Sequence, residues 1–377
     1  MPFDNRLLSP ELRPIAEKAT AGQRISDAEA LAFYETRDWT GVGMIANAVR
    51  ERLIGETATY INNRYINYSN VCLLSCEFCA FGAKKRDAHA FELSLPEILD
   101  SAREGIARGA TEIHMVGGLH PSLPGDWYLE MLRGLRGLSP DLVIKAFTAV
   151  ELRHLAQRVF KMPLAETLAL LRENGLGSIT GGGAEIFDQK IRDTICKDKE
   201  TADEWCEVHR IWHTMGGLST CTMLYGHIES ASQRVDHLRR LRNLQDETGG
   251  FTGFVPFAFE PEGARPTLRG IPHATACTEL RNLAVARIYL DNIPHITAYW
   301  VSMGLPLAQI ALSFGVDDLH GTIAEEKIFH MAGARTPQSL AVEALEEAIC
   351  AAGRRPVRRD TFYRPVADSS APGAGQQ

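Results

Sequence analysis

The amino-acid sequence predicts an α/β protein built around a complete or partial (βα)8 barrel, with helices before the barrel and a short extension after it. From about Tyr65 onward, short apolar runs that end in glycine or polar residues alternate with amphipathic helical segments. There are six to eight such units, and their alternation implies parallel strands joined by helical crossovers. The length of 377 residues and the 45% hydrophobic fraction provide for a sizeable core. A doubly wound open sheet remains the alternative architecture.

The chain divides into four predicted segments. Residues 1–60 are predicted to be helical, because stretches such as GMIANAVRERLIGETATYI carry apolar residues at helical spacing. The barrel is predicted over residues 61–335 and a C-terminal helix over residues 336–355. Residues 356–377 are predicted to be a flexible tail, since GRRPVRRD is typical of a solvated basic turn and ADSSAPGAGQQ of a disordered end.

The predicted barrel units follow in chain order. The first strand is RYINYSNV, and its helix SLPEILDSAREGIARG has Ser94 as N-cap, Glu97 as capping-box partner and Gly109 as stop. The next strands are TEIHMVGG, LVIKAFTA, GSITGGGAEI, STCTMLYGH, FTGFVPFAF and HITAYWVSMG. The helices between them include TADEWCEVHRIWHTMG, which Thr201 and Glu204 cap, and SQRVDHLRRLRNLQDETGG. The eighth unit, near AQIALSFGVDDL, is ambiguous between helix and strand.

Charge and hydropathy exclude several classes of function. A formal net charge of -7 argues against nucleic-acid binding, which needs a basic face. Apolar runs stay short of the ~20 residues that cross a bilayer, so we expect no membrane insertion. The N-terminus, MPFDNRLLSPELRP, lacks the apolar core of a signal peptide. These features predict a cytoplasmic protein whose thiols stay reduced.

Three cysteines are crowded into the stretch NYSNVCLLSCEFCAFG, residues 67–82, which we call the cluster loop. Cys72, Cys76 and Cys79 follow the first predicted strand, on the face of a barrel where βα loops build active sites. A structural zinc site closes with four ligands, for which His89 is one candidate, although a solvated loop histidine is the simpler interpretation. Three thiolates can instead hold three irons of a [4Fe-4S] cluster and leave the fourth iron open. The remaining cysteines are expected mostly to be small buried hydrophobic residues: Cys196, Cys206, Cys221, Cys277 and Cys350.

With Phe78 directly before Cys79, this spacing resembles the signature of radical S-adenosylmethionine (SAM) enzymes. The resemblance implies that the open iron chelates the amino and carboxylate groups of SAM. One electron then cleaves SAM to methionine and a 5'-deoxyadenosyl radical. Asn67, Tyr68 and Asn70 precede the first cysteine in the family pattern, and we expect them to order the loop through hydrogen bonds to the backbone.

Longer blocks resemble the aminofutalosine synthases of this superfamily: HMVGGLHP, IKAFTAVE, GGGAEIF, TMLYGHIE, RVDHLRRLRNLQDETGGFTGFVPFAF, LDNIPHITAYWV and ALSFGVDDLHGT. They extend from about Tyr65 to Ala332. Cyclic dehypoxanthine futalosine synthases and deazaflavin-forming synthases share much of the pattern, but HMVGGLHP and KAFTAVE favour the aminofutalosine branch. A non-catalytic Fe-S or zinc protein is the alternative from another functional class.

The resemblance implies a specific reaction and specific partners. The adenosyl radical would add to the enol-ether CH2 of 3-(1-carboxyvinyloxy)benzoate and yield 6-amino-6-deoxyfutalosine on a route to menaquinone. An electron donor such as flavodoxin or ferredoxin is implied, and a homodimer is an expectation for the assembly. The cofactors are a [4Fe-4S] cluster and SAM, which is consumed as a co-substrate.

Two glycine-rich strand ends are predicted to bind SAM. By resemblance, Gly117 and Gly118 present backbone carbonyls to the SAM amino group, and the alternative is a tight turn that needs a positive φ. Glu185, in GGGAE, stands where the superfamily often binds the ribose hydroxyls of SAM, and the alternative is a salt bridge to a barrel arginine. A phosphate-binding P-loop is rejected, because Lys-Ser/Thr does not follow the glycines.

A substrate with two carboxylates calls for cationic or multi-donor groups at the strand ends. The candidates are His120, Lys145, Thr148, His227, Glu229 and Arg287. His227 and Thr148 are the preferred pair. Each candidate has a structural alternative: His120 would cap a turn, Lys145 could face either the lumen or a helix, Glu229 could be a helix N-terminal acid, and Arg287 could pair with Asp291.

Overall fold

The structure, a computed structural model, describes residues 4–366. Before the barrel lie a short 3-10 turn and three helices: Asn5–Leu7, α1 (Arg13–Thr20), α2 (Asp27–Glu35) and α3 (Trp39–Ile54). A capping box formed by Ser26 and Glu29 starts α2. The Asp38 side chain accepts a hydrogen bond from the amide of Gly41 at 2.9 Å and so caps α3. The N-terminal segment is helical as predicted as far as Ile54, but residues 57–60, which were also predicted to be helical, lie in a β-strand.

Within residues 4–366 ten strands follow, and the ladders between them are all parallel: β1 (Thr57–Ile61), β2 (Asn63–Ile66), β3 (Glu112–Met115), β4 (Val143–Ala146), β5 (Leu176–Ser178), β6 (Ser219–Tyr225), β7 (Phe251–Ala258), β8 (His295–Ile296), β9 (Asp318–Gly321) and β10 (Arg355–Arg359). The ladders run β2-β3-β4-β5, β6-β7-β8 and β10-β1-β9. Single bridges join these ladders and close a ring of strands β2 to β9: Ile179 to Ser219, Thr297 to Asp318 and Arg64 to Ala324. The predicted (βα)8 barrel is confirmed, and the open sheet is excluded.

Twelve helices, the last one beyond the ring of strands, surround this barrel within the described residues: α4 (Leu95–Ala107), α5 (Gly125–Arg136), α6 (Ala149–His154), α7 (Leu164–Glu173), α8 (Gln189–Ile195), α9 (Ala202–Thr214), α10 (Ala231–Thr248), α11 (Ala276–Tyr289), α12 (Trp300–Met303), α13 (Leu305–Ala311), α14 (Ile328–Ala332) and α15 (Val342–Ala351). The capping boxes predicted at Ser94 and Thr201 are both present. The ambiguous eighth unit contains both elements, since α13 ends at Ala311 and β9 starts at Asp318. None of the helices in residues 4–366 combines the length and apolar character that crossing a membrane needs.

Three tryptophans tie the helical layer to the ends of the strands. Trp205, Trp212 and Trp300 are fully buried, and each indole N–H donates to a backbone carbonyl. The acceptors are the carbonyls of Gly182 at 3.2 Å, Leu218 at 3.0 Å and Gly321 at 2.9 Å. The bond from Trp205 supports the glycine run after β5.

The C-terminal segment closes the end of the barrel where the strands begin. β10 pairs with β1 from Thr57–Arg355 to Ile61–Arg359, so the flexible tail predicted from residue 356 is wrong as far as residue 366. Arg359 enters the barrel, where its guanidinium donates to Asp318 at 2.5 and 3.0 Å. The prediction of a solvated basic turn is therefore wrong for Arg359, whose acidic partner lies far away in the sequence. The stretch ADSSAPGAGQQ lies outside the described residues.

Candidate active site

The candidate functional site is a cavity of about 270 Å³ at the end of the barrel where the strands finish. Its wall brings together most of the residues predicted to act on cofactor or substrate: Cys72, Cys76, Phe78, Cys79, Gly117, Gly118, Lys145, Thr148 and Glu185. The three cysteines come from the cluster loop after β2, and the glycines from the turn after β3. The five other cysteines do not line it, and of these only Cys196 and Cys221 are buried.

Backbone and lysine hydrogen bonds hold the cluster loop in shape. The Lys84 ammonium donates to the carbonyls of Cys72, Leu73 and Leu74 at 3.0, 2.8 and 2.9 Å. The amide of Leu119 donates to Cys72 Sγ at 3.4 Å, and the amide of Gly82 donates to Cys79 Sγ at 3.3 Å. Such donors stabilise thiolate sulfur, which is the form that binds metal.

Burial disfavours the thiolate forms of Cys76 and Cys79, and a bound metal cluster would offset this penalty. Burial raises the pKa of the Cys76 and Cys79 thiols above the ordinary cysteine value, so both are protonated at neutral pH. Metal binding replaces such protons with a stronger positive charge. His89 is exposed and does not line the cavity, so it does not complete a four-ligand site there. The donor set therefore fits an iron-sulfur cluster with one open iron.

The asparagines before the first cysteine order the loop as predicted. The Asn70 amide donates to the carbonyl of His89 at 2.9 Å, and its oxygen accepts from the amide of Phe91 at 2.7 Å. The Asn67 amide donates to the carbonyl of Val116 at 3.0 Å, which ties the loop to the end of β3. Side-chain bonds to backbone thus substitute for regular secondary structure here.

Only glycine fits at positions 117 and 118, because neighbouring protein atoms lie very close to the backbone there. A β-carbon on Gly117 would lie 2.4 Å from the Tyr68 ring, and one on Gly118 would lie 2.3 Å from the Val71 carbonyl oxygen. Neither glycine is among those with a positive φ, so the alternative of a left-handed turn is wrong. Packing against Tyr68 and Val71 thus explains both glycines, and both also line the cavity.

Glu151, which was not predicted from the sequence, holds the Gly117–Gly118 turn in place. Its buried carboxylate accepts from the amide of Gly117 at 2.9 Å and from the Tyr68 hydroxyl at 2.6 Å. The other oxygen accepts from the amide and hydroxyl of Thr148, both at 2.8 Å. Burial raises the pKa of Glu151, and these four donors oppose that rise. Thr148 lines the cavity, but its hydroxyl serves as the N-cap of α6.

Glu185 forms an ion pair with Lys199, where a barrel arginine was the predicted alternative partner. Glu185 adopts a φ of 44°, a strained left-handed conformation that directs its side chain to the cavity. Lys199 also lines the cavity, and its Nζ lies 5.6 Å from the centre of the Phe78 ring. Burial opposes its charge, but the neighbouring carboxylates of Glu185 and Glu200 keep the pKa of Lys199 well above the ordinary value. Lys199 was not predicted, because the charged run CKDKE does not indicate which of its side chains faces the cavity.

Deeper in the barrel, polar side chains of neighbouring strands share one level. Tyr65 of β2, His114 of β3 and Lys145 of β4 are paired in register and all line the cavity. The Tyr65 and His114 rings stack with centres 4.3 Å apart, and His320 of β9 places Nε2 3.3 Å from the Tyr65 hydroxyl. The choice left open for Lys145 is thereby decided in favour of the lumen.

Comparison with known proteins identifies the family. The radical SAM superfamily matches residues 66–241, and the CofH/MqnC C-terminal region matches residues 248–371. The chain is 43% identical to the aminodeoxyfutalosine synthase of Thermus thermophilus over 359 residues, which cover 95% of this chain and 96% of that protein. This chain belongs to the radical SAM family of aminodeoxyfutalosine synthases and their relatives.

Proteins with other assigned activities are also similar to this chain. The chain is 38% identical to the cyclic dehypoxanthine futalosine synthase of Streptomyces coelicolor, covering 94% of this chain and 88% of that protein. Among solved structures, methylornithine synthase gives a TM-score of 0.73 at 17% identity, covering 91% of this chain and 97% of that one. That likeness concerns the fold alone and agrees with the closed barrel described above.

The two histidines predicted to bind the substrate, His120 and His227, do not line the cavity. His120 Nδ1 accepts from the amides of Ser122 and Leu123, so it caps the turn, as the structural alternative predicted. His227 Nδ1 accepts from the amide of Ile228 at 2.8 Å, and Nε2 donates to the Leu224 carbonyl at 3.1 Å. Both ring nitrogens of His227, one of the two preferred candidates, are thus used within the β6–α10 loop.

Glu229 and Arg287 are likewise engaged in the scaffold. Glu229 accepts from the amide of Gly226 at 2.6 Å and from Arg234 Nε at 2.7 Å, which makes it a loop acid next to α10. Arg287 is completely buried, donates to the Gly315 carbonyl at 2.7 Å and pairs with Asp317. The predicted substrate role of Arg287, and its alternative pairing with Asp291, are both contradicted by these contacts.

Proposed function

We propose that this protein is an aminodeoxyfutalosine synthase, which joins the 5'-deoxyadenosyl group of SAM to 3-(1-carboxyvinyloxy)benzoate and yields 6-amino-6-deoxyfutalosine for menaquinone biosynthesis. The observation that carries the proposal is the cavity itself, which is lined by the three cysteines of the cluster loop, the Gly117–Gly118 turn and Lys145. The 43% identity to the Thermus thermophilus enzyme over nearly the whole chain supports the same assignment.

Cys72, Cys76 and Cys79 would hold three irons of a [4Fe-4S] cluster, with the amides of Leu119 and Gly82 donating to two of the sulfurs. When bound, the reduced cluster and SAM supply the 5'-deoxyadenosyl radical that starts the reaction. The Gly117–Gly118 turn lets the backbone approach SAM, and Glu151 keeps that turn in place. The Glu185 carboxylate is suited to accept hydrogen bonds from the two ribose hydroxyls.

The wall of the cavity protects a radical reaction. Apolar side chains make up much of it: Leu74, Phe78, Phe81, Val116, Leu224, Val255, Phe257 and Phe259. They exclude water and orient a flat aromatic substrate. The residues of this chain thus contribute positioning and water exclusion, while the cofactors provide the chemistry.

The fate of the adenosyl group tests the proposal. The anaerobically reconstituted enzyme is given adenine-labelled SAM, dithionite and 3-(1-carboxyvinyloxy)benzoate, and the products are separated by mass spectrometry. The label should enter a product heavier than 5'-deoxyadenosine, because the radical adds to the substrate and stays bonded to it. If 5'-deoxyadenosine instead forms one-for-one with methionine while a futalosine-derived substrate is consumed, the protein is the cyclising relative.

Two cysteine variants control this experiment. Cys72→Ala should abolish both the labelled product and the SAM-responsive EPR signal of the reduced cluster. Cys196→Ala should retain both, because Cys196 is buried but does not line the cavity. Loss of the signal in Cys196→Ala would indicate a fourth protein ligand and a closed cluster.

The partners of the reaction follow from the same proposal. Flavodoxin or ferredoxin stays the predicted electron donor, and the homodimer and cytoplasmic location stay predictions. The small-molecule substrate is an aromatic dicarboxylate, which requires at least one cationic group in the cavity.

A further inference from the structure

Three side chains deep in the cavity have polar nitrogens without partners. Lys145 is 7% exposed, and among the described residues its ammonium makes no hydrogen bond or ion pair. His114 Nδ1 and His320 Nδ1 are also buried without a hydrogen-bond partner. All three residues line the cavity. We call Lys145, His114 and His320 the carboxylate subsite.

The acids near Lys145 are committed to other groups. Glu112 accepts from the Asn63 amide at 3.1 Å and lies 3.7 Å from His114 Nδ1. Asp318 is held by Arg359, as described above, and by the hydroxyl of Thr59 at 2.7 Å. The three N–H donors of Lys145 are therefore free for a ligand. A buried ammonium whose donors are unused is costly, and an anionic ligand removes that cost.

The two histidines are neutral neighbours of the lysine. Burial lowers the pKa of His114, and it lowers that of His320 to about 3, so both rings are neutral at working pH. The Tyr65 hydroxyl lies 3.3 Å from His320 Nε2, and Nδ1 of both rings is buried, so the two rings flank the ammonium of Lys145 as packed neutral neighbours. His320 also has a φ of 62°, and such strain is stored at ligand sites.

The depth of the subsite fixes the direction of the substrate. Tyr65, His114 and Lys145 lie within strands, whereas the cysteines and Gly117 lie in loops beyond the strand ends. The reacting CH2 is bonded to the carbon that carries the acrylate carboxylate, and this end must meet SAM at the cluster loop. The carboxylate on the ring is then the one that points into the barrel.

We propose that Lys145, flanked by His114 and His320, binds the ring carboxylate of the substrate and holds the enol ether toward the cluster loop. This inference rests on the proposed function, since it uses that substrate. The subsite makes the enzyme selective for a ring that carries a carboxylate at this distance from the reacting end.

Binding of 3-methoxybenzoate, which keeps the ring carboxylate but cannot react, tests the subsite without turnover. Calorimetry on the reconstituted, SAM-loaded enzyme should give a dissociation constant roughly 10- to 100-fold higher for Lys145→Met than for the unchanged protein, as expected for loss of a charge-assisted hydrogen bond. Lys190→Met, which alters an exposed lysine on α8, is the matched control and should bind normally. Equal affinity of Lys145→Met and the unchanged protein overturns the proposal.

A second measurement on the unchanged protein covers a Lys145 variant that fails to fold. Burial lowers the pKa of Lys145 from the ordinary 10.5, and Glu112 partly offsets this. The charged or titratable groups around it are Glu112, His114, Asp318, His320 and Arg359. Affinity for 3-methoxybenzoate should fall as pH rises through the Lys145 pKa, while the affinity for uncharged anisole should not change. A flat profile up to pH 10.5 contradicts the subsite.

The outcomes for subsite and function are separable. Weak probe binding only in Lys145→Met, without any adenosylated product, keeps the subsite and rejects the assigned reaction. Labelled product formed together with equal probe affinity in both proteins keeps the reaction and rejects the subsite.

Discussion

The two ends of the barrel differ in how completely their buried cations are paired with acids. At the end where the strands begin, Arg359 pairs with Asp318 and Arg287 pairs with Asp317, so cations and acids neutralise one another. Toward the end where the strands finish, Lys199 pairs with Glu185, but the Lys145 ammonium faces the cavity without a contacting acid. The first arrangement closes the barrel, and the second leaves donors available for a ligand.

The contrast is sharpest within β9. Asp318 and His320 are two residues apart, so both face the lumen. Asp318 is satisfied by Arg359 and two threonine hydroxyls, whereas His320 keeps an unpartnered nitrogen. Asp318 therefore belongs to the scaffold, whereas His320 lies in the cavity wall beside the unpaired Lys145.

The largest effect is expected from Gly118→Ala, which disturbs the ligand-binding end. The new β-carbon would meet the Val71 carbonyl at 2.3 Å, and this backbone atom can move only together with Cys72. We expect loss of most cluster iron after reconstitution and a roughly 100-fold or greater loss of activity, since misplacement by about 1 Å has that cost. Iron analysis and product assays measure both.

The control for this variant lies in the same loop. A β-carbon on Gly82 would lie 3.6 Å from Cys72 Cβ and from Cys79 Sγ, an ordinary contact distance. Gly82→Ala also keeps the amide that donates to Cys79, so it should retain iron. Equal iron contents in the two variants would contradict the close-approach explanation.

At the opposite end of the barrel, Arg287→Met is expected to affect stability and to leave the site itself intact. Removal of the guanidinium leaves Asp317 as a buried carboxylate with fewer donors, which costs about 3–5 kcal/mol of unfolding free energy. Thermal unfolding should show a lower Tm, and the folded enzyme should keep its KM for the aromatic substrate. Arg335→Met, in a pair whose arginine side chain is 86% exposed, should change stability by less than about 1 kcal/mol. A raised KM with an unchanged Tm would restore Arg287 to the substrate site.

The smallest effect is expected from Lys84→Met, which loosens the cluster loop without removing a ligand. Three carbonyls of residues 72–74 lose their common donor, so a chelator should remove iron about 2- to 10-fold faster, as loss of a weak hydrogen-bond set implies. Lys85→Met alters the exposed neighbouring lysine and should leave the rate unchanged. Identical rates in the two variants would show that the loop is held by the cysteines and asparagines alone.

The sequence by itself determined the features that depend on short spacing. The alternation of strands and helices, the capping boxes at Ser94 and Thr201, and the grouping of Cys72, Cys76 and Cys79 are all written within a few residues. Backbone geometry converts such spacing into structure almost independently of the rest of the chain. The barrel and the cysteine side of the cavity could therefore be predicted.

The tertiary structure alone decided which polar side chains reach the cavity. Lys145 faces the lumen, because its register places it beside His114, whereas Arg287 turns to Asp317, thirty residues later in the chain. Glu151 and Lys199 were missed for the same reason, since their contacts join separate loops. A buried charge takes the position in which its partners are assembled, and only the packed barrel assembles partners that are distant in the sequence.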